Sequence, residues 1–587
     1  WEETGYIPPD ARDRLQGDYP SSPPPLGGPA VLPDSPASSA NNKPDFRPPR
    51  PLIAPRVSTP ISQPDIPDSV DYLIIGSGAG GACMAYRLAS AVPNPAGILV
   101  VDRGPRYSPL QDFNDDEMDM YCKLYKEGGL QQSKRFDLMV LQGECVGGTT
   151  VINNAVCLPM PVQIRQLWQQ EYGLDLDALG AYNSRGWPSA PGEYADVAAD
   201  IEISEIPEAA INQKVKQRFF AAVDKYNQRH NPLGRPPLTK ETLSANQRNM
   251  VGDGLCNLGN KRLRKRTMLE TYLPWAEARG VKIIPQTGAV CFQAEPGARR
   301  ANAVVLRTAH GVLKTVKVNK AVIVAAGVIA SSQFLMTSGV KKNVGLGMSC
   351  NFAFPVAFQF PDILDSFDGT QITLAAIDNQ PDQSLPPRAA FETYSNPPGA
   401  FATSIPFYFN RARDLMKHYR YLVNFGALVG SEANGVISLT GDPINGRPFT
   451  WRIGDQDRRN IKFALTTLAE LGLAAGAQRI VLPTEPGLDI PLTAANVERF
   501  KKALTDYPLD MSDLRLTTAH PQGGNRMMGD KSPHRDQRAV DGSFRVDGFD
   551  NVFVADASVF PTGITVNPQW TIMALSSMAA KKVLEVN

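Results

Sequence analysis

The sequence predicts an α/β chain with two units. One is a nucleotide-binding unit around a Rossmann-like parallel sheet; the other is an α+β unit on a mainly antiparallel sheet. Three observations predict it. A short β-forming run, Asp71–Ile75, passes straight into a glycine-rich turn and then a helical pattern. Two later apolar runs, within Thr315–Ala326 and Asn551–Ala555, give further strand signals. The stretch 346–515 carries period-2 and short apolar runs, such as Tyr421–Val429 and Val436–Leu439, as an antiparallel sheet does.

In chain order, residues 1–70 are a Pro/Ser-rich extension that includes Pro23-Pro24-Pro25 and Pro48-Pro49. Proline cannot donate to a sheet ladder and breaks helix interiors. This stretch is therefore expected to be extended or disordered, as a tail or as an arm over the body or a partner subunit. Composition changes at Asp71, and the first helical pattern runs through Ala89. Further helices are expected over Arg458–Ala475 and Pro568–Leu584. The segments 71–160, 251–345 and 516–587 should assemble the nucleotide-binding unit. The segments 161–250 and 346–515 should form a substrate unit that roofs it, with the pocket between the two.

Bulk properties narrow the function. A chain of 587 residues exceeds one ordinary core. Hydrophobic residues at 42% and charged residues at 20% are an ordinary globular mix. A formal net charge of +1 argues against electrostatic nucleic-acid binding. No apolar window reaches the length of a transmembrane helix. Seven cysteines contain no C-x-x-C pair, so mostly free, buried thiols are expected, with room for one or two disulfides. No Cys/His cluster has metal-ligand spacing, and no metal is predicted. The start at Trp1 slightly favours an exported protein.

Gly76-Ser77-Gly78-Ala79-Gly80-Gly81 matches G-x-G-x-x-G between a strand and a helix. Its glycines let the chain turn tightly and let a pyrophosphate approach the helix N-terminus. Asp102 ends the next strand, about 20 residues on, where a carboxylate can accept from a ribose hydroxyl. This motif alone does not separate FAD from NAD. Three further segments do. Val146–Asn154 is a second small-residue loop, Ala325–Gln333 follows a strand and opens a helix, and Asn567–Thr571 opens the last helix.

In this order, the segments resemble the glucose–methanol–choline (GMC) oxidoreductase family, FAD-dependent flavoproteins that include cholesterol oxidase and long-chain alcohol oxidases. The resemblance covers most of 71–587 and none of 1–70. It implies FAD held by Gly76, Gly78, Ala79, Gly81 and Asp102, with Arg103 beside it. It places Gly147, Gly148, Thr149, Asn153 and Asn154 near the flavin, and Val290 at the adenine side. Asp556 and Ala557 would touch the pyrophosphate, Ala326 and Gly327 would also contact the cofactor, and Pro568 and Gln569 would open the last helix beside it.

The implied chemistry is oxidation of an alcohol: a hydride leaves carbon and a base takes the hydroxyl proton. A neutral His is the natural acceptor near pH 7. His520, in Ala519-His520-Pro521-Gln522-Gly523-Gly524, occupies the family's base position, and Asn567 would donate an amide hydrogen to the substrate oxygen. Two departures weaken assignment to a substrate subgroup: Gly524 replaces the usual Thr, and Thr149-Thr150 replaces Ser-Ser. Aromatic and apolar content in 351–430 suggests a moderately apolar alcohol. Oxygen, a quinone or a cytochrome would serve as electron acceptor. The alternatives are a lyase of the same fold and a non-catalytic flavoprotein subunit of an electron-transfer complex. His230 and His534 read as loop residues, His310 as a hairpin turn and His418 as part of a charged helix. The basic run Lys261–Arg266 reads as solvated surface.

Overall fold

The computed structural model describes residues 65–586, apart from 184–185, 248–253, 440–446 and 485–487. Most of the expected N-terminal extension lies outside the described residues. The first strand is Ser69–Ile75, beginning two residues before the change in composition.

Ser69–Ile75 is buried almost throughout, as a strand covered on both faces must be. It pairs in parallel with Ile98–Val101 on one side and with Leu313–Val324 on the other. Helix Ala79–Ala91 makes the crossover between the first two strands. Lys282–Ile284 and Val552–Val554 extend the parallel ladder. An antiparallel flank, Thr287–Ala294 and Ala301–Thr308, joins through the first half of Leu313–Val324. The Ile75, Val101 and Val324 ends lie together in register, so the turns that follow them all emerge on one edge. The C-terminal helix Gln569–Val586 packs on Ala79–Ala91. Small residues permit this approach: a Cβ on Gly80 would fall 3.0 Å from Ser576 Oγ of that helix, and 1.7 Å from the Ala555 carbonyl oxygen beside it.

The second sheet is built on Leu346–Gln359, paired antiparallel with Leu422–Gly430 over nine residues. Ala390–Tyr394 and Leu374–Ile377 continue it outward. On its other side, Leu516–Thr518 meets Ala353 and pairs in parallel with Leu138–Val140. These last two strands come from segments grouped with the nucleotide-binding unit in the sequence, so the chain crosses between the sheets beside His520. Alternation sorts the faces. Phe358, Phe391 and Phe425 point to the covered side, against helices Asp455–Ala475 and Gln213–His230. Ala353, Pro355 and Leu428 line the cavity on the other side.

Cys83, Cys122, Cys145, Cys157, Cys291 and Cys350 are free thiols. Among the described residues, no helix is long and apolar enough to cross a membrane, and no cluster of His, Cys, Asp or Glu could hold a metal ion.

Candidate active site

A cavity of about 1660 Å³ lies between the turn-bearing edge of the parallel sheet and the open face of the second sheet. It exceeds the roughly 300–1,000 Å³ of ordinary small-molecule pockets, leaving room for a dinucleotide and a substrate together.

Three glycine turns form its floor. Gly76 adopts φ +96° directly after the first strand, and a Cβ there would lie 2.3 Å from the Ala325 carbonyl oxygen. The helix it opens has Gly78 at its N-cap and no side-chain cap, which leaves first-turn N–H groups for an anion. Gly148, at φ +57°, abuts this turn from the second loop. A Cβ on Gly148 would fall 2.9 Å from the Gly78 Cα. Gly327, at φ +83°, makes the third turn after Val324.

Carboxylates brace these turns. Asp102 accepts from the Ser77 N–H at 2.9 Å, the Ser77 hydroxyl at 2.6 Å and the Gly104 N–H at 2.8 Å. Ser77 Oγ also accepts from the Gly147 N–H at 3.0 Å, tying the two glycine loops together. Burial pushes the Asp102 carboxyl up, while the Ser77 and Gly104 bonds pull it back. Oδ1 carries one of these bonds and keeps acceptor capacity for a ribose hydroxyl. Asp556 does the same for the third turn, accepting from Gly327 N–H (2.9 Å), Ser331 Oγ (2.5 Å) and Ser558 N–H (2.9 Å). Its carboxyl too is raised by burial and lowered by those bonds.

His520 and Asn567 stand on the cavity wall, with Pro568 and Gln569 following at the start of the last helix. Asn351 bonds His520 and the turn that leads into Asn567. Its Nδ2 donates to the Val566 carbonyl at 2.8 Å and lies 3.3 Å from His520 Nδ1. Its Oδ1 accepts from the Thr565 N–H at 3.1 Å. Burial alone pulls the His520 ring down to about 4, so it is neutral at physiological pH. The Oδ1 atoms of Asn154 and Asn567 are buried without a hydrogen-bond partner in residues that line the cavity. Such atoms are the ones a bound group would complete. The glycine turns, the uncapped helix start and these orphaned amide oxygens fit a dinucleotide cofactor.

Of the residues singled out from sequence, Gly76, Gly78, Ala79, Asp102, Arg103, Gly148, Thr149, Asn153, Asn154, Ala326, Gly327, Asp556 and Ala557 also line this cavity. Three do not. Gly81 closes the helix on its own turn, where a Cβ would meet the Gly76 carbonyl oxygen at 2.0 Å, and Gly147 sits behind Gly148 at φ +92°. In the strand Thr287–Ala294, Thr287, Gly288 and Ala289 form the lining instead of Val290. The side chains of Asn153 and Gln569 bond each other at 2.8 Å, and Gln569 Nε2 donates to the Val156 carbonyl at 2.9 Å. They shape the wall from within the protein.

Sequence reasoning missed Asn351 and Lys265. Asn351 is a polar residue in an apolar strand, a visible but unspecific signal. Lys265 belongs to the run read as surface, yet it is buried and bonded to three backbone carbonyls behind the second glycine loop. His230 is likewise buried, not in a loop: it ends helix Gln213–His230 and pairs with Glu470 at 2.8 Å. His418 is also buried, in the turn after a short helix, with Nδ1 donating to the Asp414 carbonyl at 2.9 Å. The Gly524 departure has a steric reason. At φ +94°, a Cβ there would lie 2.9 Å from both Ile437 Cδ1 and Ser332 Oγ.

Residues 121–353 match the N-terminal region of the GMC oxidoreductase family, and residues 431–576 match its C-terminal region. An uncharacterized GMC-type oxidoreductase of Sinorhizobium fredii is 25% identical over 523 residues, covering 88% of this chain and 94% of that protein. The long-chain-alcohol oxidase FAO4A of Arabidopsis thaliana is 24% identical over 550 residues, covering 90% and 70% respectively. The crystal structure of pyridoxine 4-oxidase from Mesorbium loti has a similar fold, with a TM-score of 0.63 at 16% identity over 87% of this chain and 99% of that one. A formate oxidase of Aspergillus oryzae gives a TM-score of 0.62, also at 16% identity, over 88% of this chain and 98% of that one. The chain belongs to the GMC oxidoreductase family, and FAD is its cofactor.

Proposed function

We propose that this protein oxidises an alcohol to a carbonyl compound, with His520 taking the hydroxyl proton and Asn567 holding the substrate oxygen. When bound, the flavin supplies the hydride acceptor. The chain's own work is to hold the cofactor, orient the carbinol and receive a proton. The turns at Gly76, Gly148 and Gly327 and the carboxylates of Asp102 and Asp556 would serve the first task. Asn567, at a helix start, carries an amide that can donate to the substrate oxygen. The observation that carries the reading is that His520 and Asn567 both line the cavity that the glycine turns floor, with Asn351 bonded to His520 and to the Val566 carbonyl next to Asn567. A neutral imidazole is the form that can accept a proton, and burial keeps His520 neutral. Ala353, Pro355 and Leu428 on the roof favour a moderately apolar alcohol.

A second reading draws on Asn351. Because its Nδ2 faces His520 Nδ1, the neutral ring carries its hydrogen on Nε2 and can donate to the substrate oxygen. One experiment separates the two readings. Anaerobic bleaching of the flavin is followed with a panel of primary alcohols in wild type, His520→Ala and His520→Gln. Under the base reading, both variants slow by about 10²–10⁴-fold. Under the donor reading, Gln, which donates but accepts no proton, retains most of the rate that Ala loses. Full bleaching in His520→Ala defeats both, and a flavin that no alcohol bleaches defeats alcohol oxidation itself. Peroxide release compared with dye reduction then identifies the electron acceptor as oxygen or another oxidant.

A further inference from the structure

Asn351 belongs to the strand Leu346–Gln359, on the same face as Ala353 and Pro355, and its side chain is fully buried. Two backbone groups of one turn fix its amide. Thr565 N–H donates to Oδ1, and Nδ2 donates to the Val566 carbonyl. These bonds remove the usual ambiguity between amide oxygen and nitrogen, because flipping the group would set donor against donor and acceptor against acceptor. The turn itself is held from below. Thr565 adopts φ +61°, uncommon for a β-branched residue. A Cβ on Gly430, the residue paired with Asn351 across the sheet, would lie 2.4 Å from Thr565 Oγ1. The second hydrogen of Nδ2 is left for His520 Nδ1, at 3.3 Å. Nε2 has no hydrogen-bond partner among the described residues.

We infer that Asn351 is a positioning residue that sets the tautomer of His520, with Nδ1 as acceptor and the hydrogen on Nε2, and that locks the ring's place relative to Asn567. The inference rests on the reading of His520 as the group that handles the substrate's proton. For Nε2 to accept that proton, the ring must first pass to its other tautomer and lose the Asn351 bond. Asn351 therefore governs the fraction of resting enzyme competent as a base, and kcat/KM scales with that fraction. No charged side chain of the described residues acts on the ring; its neutrality comes from burial. Asn351 is the contact that distinguishes its two nitrogens.

The test is ¹⁵N NMR of histidine-labelled holoenzyme, with the His520 signals identified by their loss in His520→Ala. Wild type should show a neutral ring protonated at Nε2. Asn351→Asp replaces the facing amide with an acceptor. It should move the hydrogen to Nδ1 and raise the ring's pKa, carrying the acid limb of kcat/KM upward by at least one pH unit. Asn351→Ala removes the contact that distinguishes the two nitrogens and should give His520 signals intermediate between the two neutral forms, with flavin content preserved. An Nδ1-protonated ring in wild type overturns the inference, and this measurement needs no Asn351 variant to fold. An Asn351→Asp protein whose His520 tautomer and titration match wild type overturns it as well. Both NMR outcomes are independent of turnover. If His520→Ala still bleaches fully, the proton-acceptor reading fails, and the spectra still decide the role of Asn351.

Discussion

The ammonium of Lys265 donates to the carbonyl oxygen of Asn153 at 2.7 Å. The same nitrogen reaches the Val151 carbonyl at 2.8 Å and the Cys256 carbonyl at 2.7 Å. A buried cation thus holds the back of the loop whose front, Gly148 to Asn154, lines the cavity. Lys265→Met keeps the aliphatic length and removes every donor. Three buried carbonyls are then unpaired, at about 1–3 kcal/mol each, so a loss of at least about 3 kcal/mol is expected. Thermal denaturation of the apoprotein measures the stability loss, and flavin content after gel filtration measures the looser loop. Unchanged values for both would show that the loop does not depend on Lys265.

The contact between Gly148 and Gly78 separates crowding from backbone strain. Gly148→Ala puts a methyl group 2.9 Å from the Gly78 Cα, at φ +57°. FAD affinity should fall at least about tenfold, a cost of about 1.4 kcal/mol. Gly311→Ala provides the control. Its φ is +78°, but nothing lies within 4 Å of the added Cβ. It should lower stability by about 1–2 kcal/mol and leave flavin binding intact. Equal flavin retention in both variants would refute close packing of the two loops as a requirement.

Legibility in the sequence followed the range of the interaction. The strand–turn–helix at Ser69–Ala91 was readable because each part is a local pattern: a buried run, glycines at fixed offsets, then small residues on one helix face. His520 and Asn567 were readable only through their motifs, since nothing local shows that both reach one cavity. Lys265 was misread for a physical reason. Its neighbours in the basic run, Arg262 and Arg266, pair with the acidic Asp115 and Glu202, the partners that a basic run is expected to find. What distinguishes Lys265 is a set of carbonyls up to 114 residues away in sequence. Asn351 was missed similarly, because its partners lie at 520, 565 and 566. Val290 missed the lining by a shift along its strand, and strand register is set by pairing partners that a motif does not contain.

Glu392 supplies a pH dependence of stability. It is fully buried on the strand Ala390–Tyr394, and neither carboxyl oxygen has a hydrogen-bond partner. Burial pushes its carboxyl up to about 8, with the neighbouring Tyr394 pulling weakly the other way. The folded protein therefore keeps a proton that the unfolded chain releases near pH 4.5. Stability from this group is complete below that pH and is lost as pH rises through about 8, on the order of a few kcal/mol. Glu392→Gln cannot ionise. The difference in Tm between variant and wild type should grow in the variant's favour from about pH 5 to about pH 8 and level off above that. A difference that stays flat across this range would rule out a protonated Glu392.

The pH dependence of flavin reduction tests the base reading of His520 without any mutation. A His buried to a value of about 4 is unprotonated through the neutral range, so no limb is expected near the ordinary imidazole value of about 6.5. If the ring accepts the proton, kcat/KM for a primary alcohol should be flat above about pH 6. It should then fall tenfold per unit once pH drops below about 4, because the protonated ring has no lone pair to offer. If the ring only donates through Nε2, protonation leaves that donor in place and the acid limb is absent. Two controls keep the limb interpretable. Flavin content must be unchanged across the range, since Asp102 and Asp556 brace the glycine turns and are themselves raised by burial. The rates must also come from pH jumps shorter than acid unfolding, because the unfolded chain takes up a proton on His520 that the folded protein refuses. Between about pH 6.5 and 4 this uptake lowers stability as pH falls, the same sign as the expected loss of rate. A limb that survives both controls belongs to the ring, and one centred near pH 6.5 would mean that His520 is far better solvated than its place in the cavity wall implies.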